Sequence, residues 1–236
     1  MFIIYERIEK RMQYKLMSYK LSENMPVWPG VDKVYTEQTG DVLKGASCNE
    51  WKYTLRNHVG THMDAPNHHM NDGLKISELP LERFIYEKPL VLDIPKGLCE
   101  KITKADLEPY AEKIAQCDLL IFRTGQYKLH DTDPKAYSEK GAAVSAEAAE
   151  YLVKNFKNIK SVMMDFLSLA TPSDTDDGNI AHKWLLGKWT DNFICIIEDA
   201  DLSDVDADKL VKVVGLPLVM ENIDSCQVTV VGYYRD

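Results

Sequence analysis

The sequence predicts a single α/β domain with a large central mixed sheet, and three observations carry that prediction. Short apolar runs of strand length recur along the chain, LLIF at 119–122 and FICII at 193–197 among them. Strand-like and helix-like patterns alternate between residues 117 and 170. Of the 236 residues, 45% are hydrophobic and 28% charged, ordinary globular usage that supplies one substantial core.

The opening MFIIYERIEKRMQYKLM mixes Arg7, Lys10, Arg11 and Lys15 with Glu6 and Glu9 and has no uninterrupted apolar stretch, so it does not read as a secretory signal. Ile4, Ile8, Met12 and Leu16 recur at four-residue spacing, which fits a short amphipathic helix packing on a partner subunit. Residues 1–16 are therefore read as an extension and 17–236 as the domain, with Met12 and Met17 also available as starting residues.

From Tyr14 to about Asn57 the pattern is extended: KLMSYKLS, VYTEQ and WKYTLRN, separated by the turn-rich PVWPG and TGD. KPLVLDIP at 88–95 reads as a buried strand. TKADLEPYAEKIAQ at 103–116 follows as a helix, with Thr103 as its N-cap and Asp106 three residues on. CDLLIFRTG gives a strand, SAEAAEYLVKNF a helix capped by Ser145, and SVMMDFLSLA another strand. NFICIIEDA, VVGLPLVM and QVTVVGYYR complete the set, so strands outnumber helices.

A net charge of −9 and a pI near 5.2, with no cluster of Lys or Arg among aromatics, set nucleic acid aside as a partner. No apolar run reaches membrane-spanning length. The cysteines Cys48, Cys99, Cys117, Cys195 and Cys226 are odd in number and lack a CxxC pair, which argues for reduced thiols and a cytoplasmic protein.

Four of the six histidines fall between positions 58 and 69, in HVGTHMDAPNHH. Imidazole and carboxylate are the usual ligands of a catalytic zinc, typically three from the protein with one position left for water. His58, His62 and Asp64 supply that set. Gly60, Pro66 and Asn71-Asp72-Gly73 make one long helix improbable, and residues two and four apart on a strand share a face, so all three ligands can point together while Met63 enters the core. Gly60 then lets the backbone crowd the ion, and Pro66 stiffens the turn that carries His68. Beyond the triad, His68 is placed to move protons between bound water and a leaving group; His69 reads as structural or as support to the ligands. A divalent ion lowers the pKa of bound water to about 7 and polarises a carbonyl, which makes hydrolysis the natural reaction class. Zinc is the first choice, with manganese or cobalt also suited to these donors. From a different class, a catalytically silent protein holding a metal in a binding pocket remains open on the residues alone.

HVGTHMDAPNH resembles the HxGTHxDxPxH signature of the metal-dependent cyclase family, which includes kynurenine formamidases and isatin hydrolases. MPVWPG before it, and ISELPLERF, VLDIP, LLIFRTG and HKWLLG followed by IIED after it, occur in that family's order, so the resemblance runs from about Ser18. It implies a swivelling β/β/α fold, a homodimer, and one or two divalent ions. By the same resemblance, His58, His62 and Asp64 hold the first ion, and Asp64 bridges to a second completed by His182 and Glu198. On the residues alone, His182 is a lone histidine in a helix-like stretch and Glu198 a strand-end carboxylate. About four extra residues around KWTDNF separate LLG from the strand that ends in Glu198.

Trp28 matches a family position that is tryptophan in the kynurenine formamidases. Its ring either stacks on an aromatic substrate or packs beneath the loop held by Pro26 and Pro29. His69 and Gln126 replace residues that are often aromatic in the family and are expected to line the pocket; Asp165 and Ser168 are expected to face it. The resemblance implies an arylformamidase that converts the small aromatic amide N-formylkynurenine to kynurenine and formate, with His68 as proton shuttle. The alternative is a hydrolase of a cyclic amide or lactone such as isatin.

Overall fold

A computed structural model describes residues 12–236. Its strands are β1 (Gln13–Leu16), β2 (Tyr35–Gly40), β3 (Glu50–Thr54), β4 (His62–Asp64), β5 (Ile85–Tyr86), β6 (Pro89–Asp93), β7 (Lys101–Ile102), β8 (Leu119–Arg123), β9 (Ala143–Val144), β10 (Ser161–Met164), β11 (Cys195–Glu198), β12 (Leu210–Pro217) and β13 (Ser225–Tyr234). The helices are α1 (Lys104–Leu107), α2 (Ala111–Ile114), α3 (Tyr127–Thr132), α4 (Pro134–Lys140), α5 (Ala146–Asn155) and α6 (Thr175–Leu185).

Nine strands form one mixed sheet in the order β5-β12-β13-β4-β11-β10-β8-β6, with β1 added to β13. The β6, β8, β10 and β11 pairings are parallel, and β4 joins this block antiparallel to β11 on one side and to β13 on the other. β12 comes back against β6, so the sheet nearly closes. The predicted α/β class with a central mixed sheet is the one observed.

The parallel strands read as unbroken apolar runs because both of their faces are covered. Leu120, Phe122, Val162, Met164 and Ile196 pack with α5 and α6 on one face. Their neighbours Leu119, Ile121, Met163, Cys195 and Ile197 fill a second core with Met63, Tyr86 and Val213 on the other. Ser145 Oγ caps α5 by accepting from the Ala148 amide at 3.1 Å.

The sequence and the structure part at several elements. The helix expected over 103–116 starts at Thr103 with the expected capping box, but Pro109 lies in a 3₁₀ turn, Glu108–Tyr110, that divides it into α1 and α2. Residues 13–16 form a strand on β13, not the end of a helix, with Gln13 opposite Tyr234; most of the expected N-terminal helix lies outside the described residues. Within SVMMDFLSLA only Ser161–Met164 is strand. Among the described residues, no helix is long and apolar enough to cross a membrane.

Candidate metal centre

The inner strand β4 does two jobs through its pleat. Met63 is buried in the core, while His62 and Asp64 face the other way. Register supplies the next residue: Glu198 on β11 lies opposite His62, and its Oε2 is 3.2 Å from His62 Nε2. His58 precedes the strand in a turn at Gly60, whose φ of +70° suits glycine. A Cβ at Gly60 would sit 2.5 Å from Leu21 Cδ2, so this glycine admits the loop packed over it instead of opening space for an ion. Pro66 starts the 3₁₀ turn Pro66–His68 that carries His68. His182 arrives on α6, which packs so closely that a Cβ on Gly178 would lie 2.3 Å from that of Ala170.

Three histidines share one design, a nitrogen tied outward and the other turned inward. His62 Nδ1 donates to the Gly60 carbonyl at 2.8 Å, and His182 Nδ1 to the Gly178 carbonyl at 2.8 Å. His58 Nε2 donates to Asp224 Oδ2 at 2.9 Å. Their inward nitrogens meet carboxylates: His58 Nδ1 is 3.1 Å from Asp64 Oδ1, and His182 Nε2 is 3.3 Å from Glu198 Oε1. Outer acceptors that fix the tautomer in this way are characteristic of metal-ligating histidines.

Asp64 is fully buried; its Oδ1 has the His58 and His62 nitrogens at 3.1 and 3.6 Å, yet among the described residues neither of its oxygens, nor His62 Nε2, makes a well-aligned hydrogen bond. Leaving a buried carboxylate so exposed to its own desolvation costs several kcal/mol, and a divalent cation among these atoms removes the deficit. The donor set therefore fits a metal. Burial pushes the His58 pKa down, but the adjoining carboxylates of Asp224 and Asp64 outweigh it and hold it at about 10. Burial likewise works against His62 and His182, yet Glu198 raises both. Burial raises Asp64 and Glu198, and the surrounding histidines more than reverse it. A field that so favours positive charge on imidazole favours a cation.

Among the described residues, ligand-type atoms come within 4.8 Å of one another in three sets: His62 with Asp64 and Glu198, His58 with Asp64 and His68, and His68 with His69 and His182. All six residues expected at the centre converge, and Asp64 belongs to two sets. The grouping cuts across the expected one, since Glu198 sits beside His62 as well as His182, and His68 falls within ligand reach.

A cavity of about 400 Å³ opens on this cluster, bordered by Trp28, Val31, His69, Leu167 and Ser168. His69, expected at the pocket, lines it, and so does Trp28, which the sequence left between a substrate-stacking ring and a loop-packing one. Burial, followed by like charge from His182 and His68, lowers the pKa of the half-buried His69 to about 4. Ser168 Oγ donates to Glu198 Oε1 at 3.1 Å. Two expectations fail. Gln126 is buried elsewhere, its amide donating to the Lys96 carbonyl at 2.9 Å. Asp165 is buried as well, accepting from the Thr124 amide and hydroxyl and the Gly125 amide, and so holds the turn after β8. The residue that sequence reading missed is Asp224: no motif marks it, and it lies 166 positions from His58.

The "Cyclase" family model matches residues 16–171. An uncharacterised protein of Haemophilus influenzae is 43% identical over 108 residues, 46% of this chain and 76% of that protein. A kynurenine formamidase of Erythrobacter litoralis is 29% identical over 209 residues, 89% of this chain and 88% of that enzyme. Among solved structures, isatin hydrolase A from Labrenzia aggregata superposes with a TM-score of 0.78 at 16% identity, covering 95% of this chain and 94% of that one; the likeness is one of fold.

Proposed function

Because the chain belongs to the cyclase family, we propose that it is a metal-dependent amide hydrolase, and specifically an arylformamidase that turns N-formylkynurenine into kynurenine and formate. The observation that supports this reading is the cluster itself: His58, His62 and His182, each held by an outer acceptor, face the buried carboxylates of Asp64 and Glu198 at the edge of a cavity bordered by Trp28.

In this reading His58, His62, Asp64, His182 and Glu198 hold one or two ions, zinc first, which supply acidified water and a polarised carbonyl. Trp28 stacks on the aryl ring. His68 has Nδ1 committed to Asp224 at 2.8 Å, which leaves Nε2 for chemistry. That nitrogen takes the proton released by the attacking water and passes it to the amide nitrogen as the C–N bond breaks. One water is consumed, and formate and the arylamine leave. Five free cysteines suit a reducing, cytoplasmic setting, and a homodimer completes the proposal.

The test is hydrolysis of N-formylkynurenine by metal-stripped protein, by protein restored with zinc or manganese, and by His62→Ala. Activity restored by metal and reduced at least about a hundredfold in the variant is the expected result. Stoichiometric metal binding with this amide untouched would end the formamidase reading and turn attention to cyclic amides such as isatin. His68→Ala should keep its metal; loss of the ion in that variant would make His68 a ligand and remove it as proton carrier.

A further inference from the structure

The geometry points to Asp224 as a positioning residue that aligns the proton carrier with the metal centre. A single oxygen, Oδ2, accepts from His58 Nε2 at 2.9 Å and from His68 Nδ1 at 2.8 Å. Its other oxygen accepts from Asn57 Nδ2 at 2.8 Å, so the carboxylate is pinned from the far side. The backbone is pinned as well: the Asp224 carbonyl accepts from the Ala65 amide at 2.9 Å, and the next residue, Ser225, pairs with Asp64 in the β13–β4 register. Asp224 thus stands beside Ala65, the residue after Asp64, because the sheet puts it there.

A carboxylate can only accept, so both facing nitrogens carry hydrogen. His58 is thereby fixed with Nδ1 toward Asp64, and His68 with Nε2 free. Held at Nδ1 by Asp224, the His68 ring keeps Nε2 turned to the reacting atoms while it takes the proton from water and passes it to the departing nitrogen. His68 ends the cycle in the form in which it began, and the second proton of the water is released to solvent as the acid product leaves as formate. Nothing in the sequence around Asp224 announces this role, and the inference rests on the hydrolase reading only for its kinetic half.

Two measurements test it on the full, zinc-loaded chain. The first is the tautomer of His68, read by nitrogen NMR of histidine-labelled protein and independent of any substrate. The wild type should show the Nδ1–H form, and Asp224→Asn a mixture; an unchanged His68 in the variant overturns the assignment. The second compares formanilide with its para-nitro derivative at saturating zinc. If His68 protonates the leaving amine under the control of Asp224, Asp224→Asn should lose on the order of a hundredfold with formanilide but much less with the nitro compound, whose amine departs more easily. Equal losses on both would make Asp224 merely structural. Asn57→Ala, which frees the carboxylate without removing it, should shift both readouts in the same direction to a smaller extent, and it serves if Asp224→Asn fails to fold. Should the wild type cleave neither anilide, the formamidase reading falls, while the tautomer result still decides the role of Asp224.

Discussion

His69 shows how a single ring can tie stability to acidity. Its folded pKa of about 4 lies below the ordinary histidine value, because burial and the neighbouring His182 and His68 oppose its charge. Between pH of about 6.5 and about 4 the unfolded chain therefore binds a proton that the folded chain does not, and stability falls as pH is lowered through that window. In metal-free protein, His69→Gln should lose less stability than the wild type over the same window. With allowance for a half-exposed ring, the difference is about 1–2 kcal/mol, measured by urea unfolding at several pH values. Identical slopes would remove His69 from the account. At this scale the sequence was most informative where ligands are close together: His58, His62, Asp64 and His68 share one eleven-residue stretch. Asp224 was invisible because only strand register brings it near, and Gln126 and Asp165 were misplaced because nothing local says which side of a turn a polar side chain takes.

Among the elements, the continuous apolar runs of β8, β10 and β11 were legible because burial on both faces leaves no other composition open to them. The split of α1 from α2 was written in Pro109 yet masked by the favourable pattern on either side of it. The hairpin β2–β3 is different in kind. Among the described residues it pairs only with itself, none of its own residues is buried, and Tyr35, Trp51 and Tyr53 are 55%, 58% and 61% exposed. A lone two-stranded ribbon is marginal in water, so this element supports the proposed dimer as a surface that a second copy would cover. Trp51→Ser with Tyr53→Ser is expected to shift sedimentation equilibrium toward monomer, by at least about tenfold in dissociation constant. A double variant that sediments like the wild type would place the interface elsewhere.

For the whole molecule, the sheet order matters more than any one strand. Among the described residues, the parallel block β6-β8-β10-β11 and the antiparallel block β13-β12-β5 are hydrogen-bonded into one sheet through β4, a strand of three residues. Two of those three carry the candidate ligands and the third sits in the core, so the seam of the fold and the seat of its chemistry coincide. Binding residues are usually found on loops set over a rigid scaffold. Here the backbone beneath them is enclosed by β11 and β13 on both sides. In amide hydrogen exchange of the metal-free protein, the protected hydrogens of His62–Asp64 should therefore be among the slowest, released only by global unfolding. Rapid exchange there would show that the two halves of the sheet breathe apart at this point. If the protection holds, the protein keeps its binding geometry in memory without the ion, and refilling an emptied site should proceed at the pace of ion entry, with no wait for chain rearrangement.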